Sequence, residues 1–181
     1  AALENFAKAH PDAPRLVTSE PISAVEKQGR VTVTFADARF MFDKRDGLYL
    51  GTVAMTVTPG DDDQYPFVLH LPNRIEARER DKIVGVIAME RIAVAGTWLS
   101  DLEVFTDLDV ALRGLRLDVG DAKDRVTVST LGSLAATRKL NRGDGALWSG
   151  PFSAVVSDFH AQDERGRDQF DLAELRIEGR S

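Results

Sequence analysis

Three histidines, His10, His70 and His160, are the side chains best suited to acid–base or metal chemistry in this cysteine-free sequence. A catalytic histidine needs an acid to orient it and a nucleophile within reach. His10 stands where a short helix would end, His70 lies on the polar parity between Leu69 and Leu71, and His160 follows Asp158 beside a turn. These are three separate elements, and no Gly-x-Ser-x-Gly, Ser-x-x-Lys or His-Glu-x-x-His pattern accompanies them. The histidines are read as structural or surface residues and the chain as non-enzymatic, with no catalytic residue. The lack of cysteine excludes disulfides, thiolate catalysis and sulfur-ligated metal centres.

Carboxylates come next. Asp61, Asp62 and Asp63, and separately Asp118, Asp121 and Asp124, carry the oxygens that calcium prefers. Neither group has the regular spacing and terminal glutamate of an EF-hand loop, so both are read as solvated turns, and no metal or cofactor is expected. Gly143-Asp144-Gly145 precedes no helix whose N-terminus could hold phosphate. The aromatic residues, among them Phe40, Phe42, Tyr49, Trp98, Phe105 and Trp148, could stack on bases only with basic neighbours. The chain has 23 basic against 29 acidic side chains, a net charge of −6. Its richest basic stretch, Arg74 to Lys82, is interrupted by Glu76, Glu79 and Asp81. Phosphate backbones and anionic membrane surfaces are therefore disfavoured partners.

The elements that would position these residues are strands. Leu3, Phe6 and Ala7 predict one short N-terminal helix, stopped by Pro11 and Pro14. Beyond it the apolar period changes to two. Val31, Val33 and Phe35 alternate with threonines, and Phe40 and Phe42 take the opposite parity, which predicts a bulge near Asp37 or a strand break. Asp46-Gly47 signals a hairpin. Ile83 to Met89 is apolar on both parities, as in a strand buried on two sides. Trp98, Leu102, Val104, Leu108, Val110 and Leu112 fall on even positions and Asp101, Glu103, Asp107 and Asp109 on odd ones. A strand sorts these two sets onto two faces. At Gly114 the parity flips to Leu115, Leu117 and Val119, marking a bulge or turn. Val126, Phe152 and Phe170 lead further strands, and Thr130–Leu134 echoes Asp171–Leu175 as similar hairpins would. The expectation is a single all-β domain over residues 1–181, about nine to eleven strands in a large curved antiparallel sheet. It would form a half-barrel, barrel or sandwich.

Such strands carry apolar faces that must leave water, and one short helix cannot cover them. Either the sheet closes on itself, or its apolar face stays open as a groove for a ligand. In the second case Trp98, Leu102, Val104, Leu108, Val110 and Leu112 would line the groove and gain burial energy from an apolar ligand without specific polar contacts.

One resemblance bears on location. The run Gly-Arg-Val-Thr-Val from Gly29, then Leu-Tyr-Leu-Gly-Thr-Val, an acidic loop after Thr58-Pro59 and a strand ending Leu-His-Leu-Pro carry it, with the later Leu-Gly-Ser-Leu and Leu-Trp-Ser-Gly. Together they resemble uncharacterised exported or membrane-anchored β-rich proteins of Gram-negative bacteria. The resemblance implies a periplasmic location and an elongated sheet, and transfers no site residue. The start Ala1-Ala2-Leu3 is compatible with a trimmed chain, or with a mature protein whose export signal or inner-membrane anchor has been removed. Two functions remain open: a non-enzymatic periplasmic binding protein or lipid chaperone, and an envelope scaffold domain docking a partner protein.

Overall fold

The computed structural model describes residues 15–60, 63–100, 104–121, 123–142 and 148–180, and the regular structure in them is all β. The helix expected over residues 1–10 lies outside the described residues, as do His10, Asp61 and Asp62, residues 101–103 and the Gly143–Gly145 turn. The strands are β1 (Arg15–Val17), β2 (Ser23–Lys27), β3 (Arg30–Met41), β4 (Gly47–Val57), β5 (Gln64–His70), β6 (Arg74–Glu79) and β7 (Lys82–Ala88). They continue as β8 (Arg91–Leu99), β9 (Val104–Val119), β10 (Val126–Lys139), β11 (Asn141–Arg142), β12 (Trp148–Ser149), β13 (Pro151–Gln162) and β14 (Asp168–Arg180). Strands β11 and β12 form a separate two-stranded sheet, and the other twelve form one antiparallel sheet.

That large sheet is a meander with doubled ranks. Strands β5 and β6 lie end to end along β4, through Ala54↔His70 and Tyr49↔Glu76. Strands β7 and β8 likewise share one edge of β9, through Ala88↔Arg116 and Arg91↔Arg113. β1 and β2 share one edge of β3. The pairings of β4, β5, β8, β9, β7 and β6 therefore close a ring around a gap. From β1/β2 at one edge to β14 at the other the sheet is nine ranks wide.

The gap belongs to a seam that crosses the whole sheet. Asp37 has φ 47° and the β3–β4 register shifts between Phe35 and Ala38. Gly51 has φ 77°, β5 gives way to β6 over residues 71–73, and β7 to β8 at Met89 and Glu90. Gly114 has φ 61°, the pairs that would join Gly114 to Gly132 and Gly132 to Asp158 are missing from the β9–β10 and β10–β13 ladders, and Asp158 has φ 54°. The seam is stitched by Met89 N–H donating to Asn73 O at 2.8 Å and Glu90 N–H to Arg113 O at 3.1 Å. The breaks in parity expected at Asp37 and Gly114 both lie on this line.

Apolar positions change parity as strands cross the seam: Leu112 to Leu115 in β9, Leu134 to Leu131 in β10, Val156 to Phe159 in β13. Closely buried side chains are few. Among the described residues seven apolar ones are buried: Ala38, Val53, Phe67, Val86, Met89, Leu99 and Leu140, and Val86 is enclosed almost completely at 1% exposure. Ala38, Val53 and Met89 sit at or beside the seam, while Leu99 and Leu140 flank Thr106, whose carbonyl accepts Leu140 N–H. Ile83–Met89 was expected to be buried on both faces. Gly85, Val86 and Met89 are buried, but Val84 is exposed.

Turns are fixed by aspartates. Asp43 accepts the N–H groups of Arg45 and Asp46, Asp121 those of Lys123 and Asp124, and Asp163 those of Arg165 and Arg167. Those donors favour the ionised form, and all three carboxyls titrate below the ordinary aspartate range. They occupy the loops between β3 and β4, β9 and β10, and β13 and β14, so the meander's reversals are written in local side-chain-to-backbone bonds.

Candidate functional site

Residues directly opposite in an antiparallel ladder share a face. Starting at β14, Ile177 opposes Ala154, which opposes Ala136, then Val110 and Val94. The same line continues through Leu69, Met55 and Val33 to Ala24 on β2. Nine strands thus place nine apolar residues in register, a row about 38 Å long at ordinary strand spacing. None of the nine is buried: seven are half-buried and the two ends, Ala24 and Ile177, are exposed. One residue along, the opposite face reads Glu178, Ser153, Thr137, Asp109, Ala95, Val68, Thr56, Thr32 and Val25. That neighbouring row is mixed, whereas the first is apolar throughout. No helix lies over it among the described residues.

The sequence had placed the groove on one strand. Leu108, Val110 and Leu112 lie on the apolar face, opposite Gly96, Val94 and Ile92. Trp98 opposes Tyr65 and Phe105, and Leu102 lies outside the described residues. Val104 is different. The register shifts between Thr97 and Trp98, leaving Thr106 as an extra residue, so Phe105 joins Trp98 on the apolar face and Val104, opposite Leu99, points the other way. Strict alternation cannot anticipate a bulge whose extra residue is a threonine. Met55, Leu69, Val94, Ala136, Ala154 and Ile177 were missed because the register between strands, on which a shared row depends, is not written in any one strand.

Aromatic rings thicken one end of this face. Phe105 packs edge-on against Trp98 at 4.8 Å and Phe67 at 5.5 Å between centroids. The Phe67 ring lies over Gly96, where a Cβ would come within 2.9 Å of it, and the Phe152 ring lies over Gly179 in the same way. Arg138 stands between Leu108 and Phe152 in the neighbouring row and forms no ion pair among the described residues. Gly96, Leu108, Arg138, Phe152 and Gly179, together with residues of the two adjoining rows such as Asp109 and Thr137, line a depression of about 710 Å³. No known protein family, curated protein or solved structure matches this chain.

The polar candidates are dispersed. His70, on β5, is exposed, and its Nε2 lies 3.2 Å from Thr56 Oγ1. His160, on β13, has Nδ1 at 2.6 Å from Asp171 and Nε2 at 3.4 Å from Asp168. Both carboxylates come from β14, and the hydrogen bond from Asp171 holds the imidazole's titration above its ordinary value. Three strands, β8, β9 and β10, separate the two histidines. Of the aspartates weighed against calcium binding and read as solvated turns, Asp118 is instead buried and bound by Arg116 and Thr127, and Asp121 caps its own turn. No three carboxylate or histidine side chains converge as a metal site among the described residues.

Proposed function

We propose that this chain is a non-enzymatic carrier of an anionic amphiphile, with the acyl chain lying on the apolar row and the headgroup near Arg138. The observation that carries this reading is the row itself, nine apolar residues in register with none of them buried. About ten methylenes taken out of water contribute about 8 kcal/mol, against association costs that begin near about 4 kcal/mol. Specific polar contacts are then not required for binding, and Arg138 supplies orientation. The resemblance of the strand rhythm to exported β-rich proteins supports assigning the carrier to the periplasm, where an inner-membrane anchor would hold it beside its ligand's source.

The test is a titration with a fluorescent fatty acid. Val94→Asp and Val110→Asp are expected to weaken binding at least about tenfold, equivalent to about 1.4 kcal/mol, whereas Thr32→Ala and Thr56→Ala on the opposite face leave it unchanged. Arg138→Gln is expected to weaken the acid more than its methyl ester. Equal losses from both faces, or none from either, contradict the reading. The scaffold alternative is favoured by a separate observation, the exposed apolar side chains Leu16, Val17, Ile22 and Val25 at one sheet edge and Phe170, Leu175 and Ile177 at the other.

A further inference from the structure

We propose that two copies of this chain join edge to edge through β14, antiparallel, with Ile177 facing Ile177 of the second copy. Among the described residues β14 pairs with β13 and with no other strand, so one side of a 13-residue strand presents free backbone groups. Long edges of this kind are normally blunted by proline, bulges or a cover. The segment Glu174–Arg180 has no proline, and its ladder with β13 runs without a register shift.

Its charges are arranged to complement themselves. Glu174, Arg176, Glu178 and Arg180 share one face, and Leu175, Ile177 and Gly179 the other. With Ile177 at the two-fold axis, Arg176 stands opposite Glu178 of the second copy and Glu174 opposite Arg180, each pair occurring twice. Every charge in the segment then meets its opposite. Centring the pair on Arg176 or on Glu178 sets like charges face to face. Centring it on Leu175 leaves Glu178 opposite Leu172 and Arg180 opposite Phe170. One register is thus selected by attraction and its neighbours by repulsion or mismatch. In the selected register Leu175 of the second copy meets Gly179, over which the Phe152 ring already lies. Ile177, 48% exposed, is also the end of the nine-residue row, so the pairing carries the apolar face on into the second molecule. The inference goes beyond the carrier reading and needs no ligand.

The native chain has no cysteine, which makes the test clean. Directly opposed residues in an antiparallel pair have Cα atoms about 4.5–5.5 Å apart, within disulfide reach. Oxidised Ile177→Cys protein is expected to form a covalent dimer, and Leu175→Cys protein is not. In sedimentation equilibrium without reductant or ligand, the native chain is expected to dimerise, less so at high salt. Arg176→Glu and Glu178→Arg are each expected to weaken the dimer at least about tenfold, and the double exchange to restore it. A monomer at every concentration, a dimer indifferent to the single exchanges, failure of the double exchange to restore pairing, or cross-linking through Leu175→Cys rather than Ile177→Cys overturns the proposal. Circular dichroism of each variant separates loss of pairing from loss of fold.

Discussion

His160 ties the last two long strands together by charge. Its Nδ1 meets Asp171 at 2.6 Å, with Asp168 near the other ring nitrogen, and all three side chains border solvent. The imidazolium is favoured most by the Asp171 hydrogen bond; desolvation comes next and opposes it, and the charges of Asp171 and Asp168 add smaller favourable contributions. A histidine whose folded titration is raised stabilises the fold fully below its unfolded value, near 6.5, and loses that contribution as pH rises through the folded midpoint. Proton NMR titration is expected to show the His160 midpoint above the ordinary imidazole value in the native chain. Asp171→Asn should return it towards that value. An unchanged midpoint in the variant contradicts the pairing. This arrangement was partly legible: the sequence places His160 beside Asp158, but the acids that matter come from the neighbouring strand, through His160↔Asp171.

At the scale of elements, the seam explains why strands of 11 to 16 residues coexist with so few buried side chains. Each strand that crosses it breaks its ladder or its backbone regularity at the same level, so apolar positions switch parity together rather than one by one. Gly114 is the clearest case. Its φ of 61° is left-handed, and a Cβ there would lie 2.5 Å from Glu90 Cγ and Cδ. Gly114→Ala is expected to cost about 1–2 kcal/mol for the backbone conformation, while Gly114→Asn costs less because asparagine tolerates that region. Denaturant melts check this, and an alanine variant as stable as the native chain contradicts the account of the seam. The parity flips at Asp37 and Gly114 were readable because apolar residues lie on both sides of them. The parts of the seam at Gly132 and Asp158 carry the same kind of flip, from Leu134 to Leu131 and from Val156 to Phe159, but do not by themselves join into one line. Nothing in one strand's pattern shows that its irregularity is level with its neighbour's.

At the scale of the whole molecule, an all-β antiparallel meander follows from period-two patterning and from turns headed by Asp43, Asp121 and Asp163. The apolar face does not follow so directly. Val110 is a plain strand residue in the sequence, and it becomes part of a nine-residue row only when eight registers agree. One face of the sheet then carries an unbroken apolar row from edge to edge, while the other mixes threonine, serine and charge with alanine and valine, a contrast that asks for an apolar occupant. Native mass spectrometry of the protein purified gently from a Gram-negative host tests that claim most directly. The account predicts a bound acyl-chain amphiphile in the native protein that is lost from the Val110→Asp variant while the fold survives. Native protein free of lipid, and still free after incubation with fatty acid, would contradict it.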